Sequence, residues 1–331
     1  MPGLLEPLKI GSLELKNRLV MPPMATNYAD EYGEVTDRLI QHYTERSRNL
    51  GLLIVEHSYI TGQGKISPNQ LGVHSDKLIP GLRRLVEAVK ANDTPIVLQI
   101  NHGGSAASRE VTGSQPVAPS PVKHPRRGGE TPHRLTVDEI EGIIKLFTDA
   151  AKRAVNAGFD GVEVHGAHGF LLNQFLSPLT NRREDQYGGD LENRVRLPCR
   201  IIDEIREELG WDYPVLYRMG VDDMLPGGIT IKEGVEAARM IAERGVHVMD
   251  VSGGLSGSRG EALKAPGYFI PQASRVNKAL GIPVIGVGGI TTPSEADEFI
   301  KSQKVDLVAV GRAILRDREW ATKAIQRLRS D

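Results

Sequence analysis

The sequence predicts a single closed (β/α)₈ TIM barrel of the α/β class, on three observations. Short apolar runs rich in Val, Ile and Leu recur eight times. Each leads into a loop and then into a segment of helical periodicity. The runs are continuous rather than alternating, as expected for parallel strands covered by helices. An open doubly wound sheet shares this alternation of elements, but its Gly-x-Gly-x-x-Gly fingerprint should follow an early strand and is missing there. No Pro/Ser-rich linker or low-complexity tract divides the 331 residues, so 1–331 reads as one domain.

In order, the strand runs are RLVM (18–21), GLLIVEH (51–57), PIVLQIN (95–101), GVEVHG (161–166), PVLYRM (214–219), VMDVSG (248–253), PVIGVGG (283–289) and DLVAVG (306–311). Helical periodicity follows over 37–49, 76–91, 137–157, 191–209, 231–244, 271–280, 293–302 and 317–329. Thr136 with Glu139, Thr230 with Glu233, and Thr292 with Glu295 fit the Ser/Thr-x-x-Glu capping box, and Pro293 sits at a favoured first helical position. Three connections are long: 102–135, 167–190 and 254–270. All follow strands, at the face where such barrels carry their chemistry. His165, His168, Gln99, Asn101, His102 and Arg218 lie at strand ends and are expected to converge on one site.

Composition narrows the function. With 41 Lys and Arg against 42 Asp and Glu, the net charge of −1 offers no global attraction for nucleic acid or anionic lipid. The partner expected is a small molecule. One cysteine, Cys199, excludes an intrachain disulfide framework and a Cys-ligated iron–sulfur cluster. The N-terminus lacks the pattern of a signal peptide, and no apolar run approaches the span of a membrane helix, so the sequence reads as soluble and cytoplasmic.

The last two strand ends point to a phosphate. Gly288 and Gly289 close one and lead into a capped helix, while Gly311 and Arg312 close the next. Bared backbone N–H groups, a helix start and a guanidinium after strands seven and eight make a familiar barrel phosphate site. His165 and His168, three residues apart, are open to several readings: structural histidines at the barrel mouth, a metal pair, or two neutral imidazoles donating to a substrate oxygen. The last suits the site better, because the H-x-x-x-H spacing and a further acidic or Cys ligand are missing. Glu163 is read as facing away from His165, and no metal is expected. The run KHPRRGG (123–129) reads as a solvated loop, with recognition of NADPH or CoA-ester phosphates as its alternative. Tyr187 reads as loop packing.

The block HGAHGFLLNQFLSPLTNRREDQYGGDLENRVR, together with KNRLVMPPMATNY, LIVEHSYITGQGKI, QINHGG, YRMGVDDMLPGG and the two Gly-rich strand ends, resembles the Old Yellow Enzyme family of FMN-dependent oxidoreductases over about 5–325. The resemblance implies a barrel holding FMN noncovalently, reduced by NADH or NADPH and reoxidised by an enone-like, enoyl or quinone acceptor. Position by position, it implies that Pro23, Met24 and Ala25 line the flavin and that His57 borders it. Gln99 would bond the pyrimidine edge, and Arg218 would lie beside N1 and O2. Gly288, Gly289, Gly311 and Arg312 would hold the phosphate. His165 and His168 would bind the acceptor's oxygen. Relatives are often dimers or tetramers, and no homo-oligomer interface is readable in the chain.

Two positions depart from the family pattern. Where ene-reductases carry a tyrosine that protonates the alkene carbon, this chain has Phe170. Where relatives place Thr or Cys against the flavin O4 edge, it has Ala25, with Thr26 one residue later. Water, or loop tyrosines such as Tyr28 and Tyr268, could supply the proton instead. The rivals to alkene reduction are an FMN reductase or dehydrogenase needing no carbon protonation and a nonredox phosphate-binding barrel. A tRNA-modifying flavin barrel lacks the basic stripe it would need.

Overall fold

A computed structural model describes residues 2–258 and 265–330. Eight parallel strands close into a barrel in sequence order: β1 (Leu19–Met21), β2 (Leu52–Tyr59), β3 (Ile96–Asn101), β4 (Gly161–Gly166), β5 (Val215–Gly220), β6 (Val248–Ser252), β7 (Val284–Val287) and β8 (Leu307–Ala309). Pairing of Val308 with Leu19 and of Ala309 with Val20 closes the ring. The barrel expectation holds. The covering helices are α1 (Asp37–Ser47), α2 (Ile79–Lys90), α3 (Val137–Ala157), α4 (Leu191–Leu209), α5 (Ile231–Ala242), α6 (Ile270–Ala279), α7 (Pro293–Lys301) and α8 (Trp320–Ser330). All three capping boxes form, each with its Thr oxygen accepting from the N3 amide and its Glu reaching back.

Residues two apart on a strand share a face, and this rule sorts the barrel. Outward positions such as Leu53, Val55, Val162, Val164, Met249 and Val251 pack beneath the helices. Inward positions are apolar at the start of the strands, where Val20, Leu52, Val97, Leu216, Val248, Ile285 and Leu307 form a separate inner core. Farther along, the same inward rows turn polar at Gln99, Glu163, His165, Arg218, Asp250 and Ser252, all buried. The apolar floor is sealed by an antiparallel hairpin, Leu8–Ile10 with Leu13–Leu15, whose Ile10 and Leu15 join the inner core. Burying side chains of this kind is worth about 1.5–3 kcal/mol each.

Several local readings need correction. Glu163 and His165 are two apart on β4, so both point into the barrel rather than away from each other. The final helix, expected over 317–329, begins at Trp320, because a separate short helix, Arg312–Arg316, follows Gly311 directly. The loop after β4 contains an unanticipated short helix, Leu171–Leu176, and the loop after β3 carries a parallel pair, Val117–Ala118 with His133–Arg134. Residues 259–264 of the long connection expected at 254–270 lie outside the described residues. Among the described residues no helix is long and apolar enough to cross a membrane.

Candidate active site

A cleft of about 960 Å³ opens at the C-terminal ends of the strands. Pro23, Met24 and Ala25 enter it from the β1 loop, His57 from β2 and Gln99 from β3. His165 lies near the end of β4, His168 follows the strand, and Arg218 projects from β5. At the other end Gly289 follows β7, and Gly311 and Arg312 follow β8. Gly288 stands behind this surface. Its carbonyl accepts from the Gly267 and Tyr268 amides, and a Cβ there would lie 2.8 Å from the Tyr268 ring and 2.9 Å from the Phe269 nitrogen. Its positive φ of 132° and that contact explain the glycine as a close backbone approach.

Asn101 and His102 do not join the cleft. Both are buried outside its lining, and His102 Nδ1 accepts from the Gly104 amide while its ring packs on Gly64. Conversely, the run read as a solvated loop contributes His124, Arg126 and Arg127 to the cleft wall.

Local hydrogen bonds fix the tautomers of His165 and His57. The Ala167 amide donates to His165 Nδ1 at 3.2 Å, which leaves the ring proton on Nε2. Gln70 Nε2 lies 2.8 Å from His57 Nδ1, while Gln70 Oε1 accepts from the Ile66 amide, so His57 also keeps its proton on Nε2. His168 Nε2 lies 2.8 Å from Ser252 Oγ. With the hydroxyl donating, Nδ1 of His168 carries the proton. The His168 backbone is held at φ 61°, a left-handed conformation costly for a side-chain-bearing residue, and its amide donates to Gly253 O at 3.0 Å. Burial, followed by the positive charges nearby, holds His165 and His168 well below the ordinary imidazole range, and burial lowers His57 to about 4. All three are therefore neutral donors at neutral pH. Their ring centroids step through the site: His57 to His165 at 6.3 Å, His165 to His168 at 5.1 Å, and His165 to Phe170 at 4.9 Å.

Beneath them lies a buried charge cluster. Arg218 Nε is 3.3 Å from Asp250 Oδ2, misaligned for a hydrogen bond, and both Asp250 oxygens and Glu163 Oε2 lack a hydrogen-bond partner among the described residues. Burial and then the charge of Asp250 hold the Glu163 carboxyl well above its usual range, and burial raises Asp250 as well. Gln99 Nε2 donates to Glu163 Oε1 at 2.8 Å, which fixes its amide and leaves its carbonyl oxygen without a partner among the described residues.

The β1 loop is held from behind. Glu56 Oε2 accepts from the Thr26 amide and from Tyr43 Oη, each at 3.1 Å. Thr26 Oγ1 is occupied by the Tyr28 amide, and Thr26 is not part of the cleft wall, so it does not replace the missing Ala25 hydroxyl. Tyr28 likewise lies away from the cleft, with the Arg38 guanidinium 3.7 Å above its ring. Tyr187, as read, is a packing residue whose hydroxyl donates to Glu141 at 2.8 Å. Among the described residues no three His, Cys, Asp or Glu side chains gather as metal ligands would.

Fold and cleft define a (β/α)₈ barrel enzyme with a neutral histidine pair over a guanidinium and a Gly/Arg cradle at the far end. Residues 3–331 match the model of the NADH:flavin oxidoreductase / NADH oxidase family, and the chain belongs to that family. It is 45% identical over 330 residues to the NADH oxidase of Thermoanaerobacter brockii, covering 98% of this chain and 50% of that protein. It is 39% identical over 327 residues to the NADPH dehydrogenase of Geobacillus sp. strain WCH70, covering 98% of this chain and 94% of the other. The structure of 2-naphthoyl-CoA reductase with 2-naphthoyl-CoA superposes with a TM-score of 0.93 at 30% identity, over 98% of this chain and 52% of that one. The chain thus spans about half the length of some relatives it matches. FMN and NAD(P)H are the cofactors that go with the family.

Proposed function

We propose that residues 1–331 act as one FMN-binding barrel that takes reducing equivalents from NADH or NADPH and delivers them to an enone-like, enoyl or quinone acceptor. The observation that carries this reading is the meeting, in one cleft, of Arg218, the neutral pair His165 and His168, and the Gly289/Gly311/Arg312 end. The residues fit the cofactor. Arg312 donates to Tyr268 Oη at 3.1 Å and meets no carboxylate among the described residues, so its charge is open to a phosphate. A Cβ at Gly311 would lie 2.8 Å from Met24 Sδ, so a side chain there would crowd the passage.

FMN supplies two-electron chemistry when bound, linking the nicotinamide to the acceptor. The protein's own part is orientation and charge. Arg218 offers a fixed positive charge backed by Asp250, and Gln99 offers an oriented amide. His165 Nε2–H and His168 Nδ1–H donate to the acceptor oxygen and stabilise charge that builds there. Small-molecule substrates suit a cleft of this size, and cytoplasm supplies both nicotinamides.

A second reading has its own support. Phe170 carries no acid, which favours acceptors that need no carbon protonation, as for an FMN reductase or a quinone-directed dehydrogenase. The first test is the visible spectrum of the purified protein, followed by anaerobic reduction with NADH and NADPH and reoxidation by a panel of enones and quinones. A colourless protein from FMN-replete cells would leave a nonredox phosphate-binding barrel as the better account.

A further inference from the structure

The loop after β3 brings two guanidinium groups to the cleft wall that the reaction above does not use. Arg126 and Arg127 both line the cleft, and neither forms an ion pair among the described residues. Their placement is built. His124, buried, accepts from the Arg126 and Arg127 amides on Nδ1 at 3.2 and 3.0 Å, which leaves Nε2–H to donate to Gly169 O at 3.1 Å. A neutral histidine thus ties this loop to the turn carrying His168 and Phe170. Burial lowers His124 to about 4, so the tie stays uncharged at neutral pH.

Each guanidinium has its own seat. Arg127 lies 5.8 Å from the Phe170 ring centroid, with one amino group 3.5 Å from Ala106 O. Arg126 reaches across to the β6 loop, where a Cβ on Gly257 would come within 1.7 Å of its Nη1. Glycine there gives the guanidinium room. Arg126 acts electrostatically on His168, and Arg127 on His57, so both charges reach the acceptor end of the cleft. Burial and the neighbouring Arg126 charge lower the Arg127 guanidinium. Two like charges held side by side repel, and a bound anion would relieve that repulsion.

We propose that Arg126 and Arg127 form an anion site for a carboxylate or phosphate on the acceptor, in the same cleft as the oxygen that His165 and His168 hold. Planar guanidinium groups suit both anions, because each offers paired N–H donors. The acceptor would be an elongated molecule with its reactive oxygen deep in the cleft and its anionic group at the rim. This rests on the reading of His165 and His168 as oxygen donors.

The test uses 4-hydroxybenzoate, anionic at its far end, and its uncharged methyl ester, titrated into the oxidised FMN-loaded protein, with their different phenol acidities cancelling when the variant's affinity ratio is set against the wild type's. The long-wavelength charge-transfer band reports the phenol seated over the flavin, independently of turnover. In Arg126→Ala/Arg127→Ala the acid-to-ester affinity ratio should fall about tenfold or more, the scale of a charge-assisted hydrogen bond, and the wild-type ratio should shrink with added salt. Arg126→Lys/Arg127→Lys should recover part of it. An unchanged ratio, with the band present, overturns the anion site while leaving the oxidoreductase intact. No band with either phenol in the wild type, despite bound FMN, overturns the histidine reading beneath it. Anaerobic reduction by NADH and NADPH forms a separate arm: a loss confined to NADPH, with the phenol ratio unchanged, assigns the anion to the reductant's extra phosphate and overturns the acceptor assignment.

Discussion

His168 Nε2 lies 2.8 Å from the hydroxyl of Ser252 on β6, and this contact decides which ring atom His168 turns toward the cleft. A hydroxyl donating to Nε2 leaves the proton on Nδ1. Ser252→Ala removes that constraint and should weaken phenol binding to the oxidised protein several-fold, the scale of one neutral hydrogen bond. His165→Ala/His168→Ala should abolish the charge-transfer band. Equal affinity in the double variant would exclude the oxyanion role.

The neutrality of the pair has its own consequence. Both imidazoles are held well below the ordinary value, so the folded protein keeps them uncharged from about pH 6 to pH 8. The phenol affinity should follow the phenol's own ionisation, without an inflection at the ordinary histidine value of about 6.5. A clear inflection there, lost in the double Ala variant, would show that one ring titrates in the working range.

Arg312 meets only the Tyr268 hydroxyl among the described residues, and its partner is expected to be the cofactor phosphate. Arg312→Ala should weaken FMN retention by about 2–3 kcal/mol, as loss of a charge-assisted pair does. Isothermal titration of the flavin-free variant with FMN and with riboflavin separates the causes. FMN alone should lose affinity, and equal losses for both would place the effect outside the phosphate.

Glu56, behind the β1 loop, predicts a pH dependence of stability. Burial pushes its carboxyl from 4.5 up to about 7, although bonds from Thr26 and Tyr43 oppose the shift. The folded state therefore binds this proton more tightly than the unfolded chain. Its contribution is fully present below about 4.5 and is lost as pH rises through about 7. Glu56→Gln keeps the acceptor and removes the titration, so the variant should gain on the wild type by roughly 2–3 kcal/mol between about pH 5 and pH 8. Urea midpoints that stay parallel across that range would contradict the assignment.

The barrel was legible in the chain because eight continuous apolar runs and three capping boxes agree at the local and the global level. Part of the cleft wall was legible in the same way, at the strand ends that carry Gln99, His165 and Arg218 and at the turns of Gly289, Gly311 and Arg312, whereas Pro23, Met24, Ala25 and His57 were expected only from the resemblance to the Old Yellow Enzyme family. What was missed lies in the inward rows. Gln99 and Arg218 were placed at the site from their strand ends, but reading the strands as uniformly apolar hid Glu163, Asp250 and Ser252, which occupy the same alternate inward rows, a period-two signal present in the sequence. Gln70, Tyr43 and the Arg126/Arg127 seats are different. They depend on which loops meet, and no local pattern encodes that.

Phe170 gives the sharpest test of what the enzyme accepts. Its ring meets His165 edge-on with centroids 4.9 Å apart and lies 5.4 Å from His57, so it sits among the groups that would surround an acceptor. An alkene acceptor gains a proton on carbon, and Phe170 has none to give. Neither loop tyrosine is well placed to replace it. Tyr28 lies off the cleft, and Tyr268, though lining it, holds its hydroxyl between Arg312 and Ser258 O at the cradle end. Phe170→Tyr would set a phenolic proton among the histidines, and a positioned general acid contributes about 10²–10⁴ in rate. Stopped-flow reoxidation by enones should accelerate on that scale, while reduction by NAD(P)H and reoxidation by quinones, which form no C–H bond, change little. Acceleration with enones alone identifies protonation as the missing step of the native enzyme. No gain means that water already fills the role or that the natural acceptor is one needing no proton on carbon, and the quinone rates of the same preparation distinguish the two.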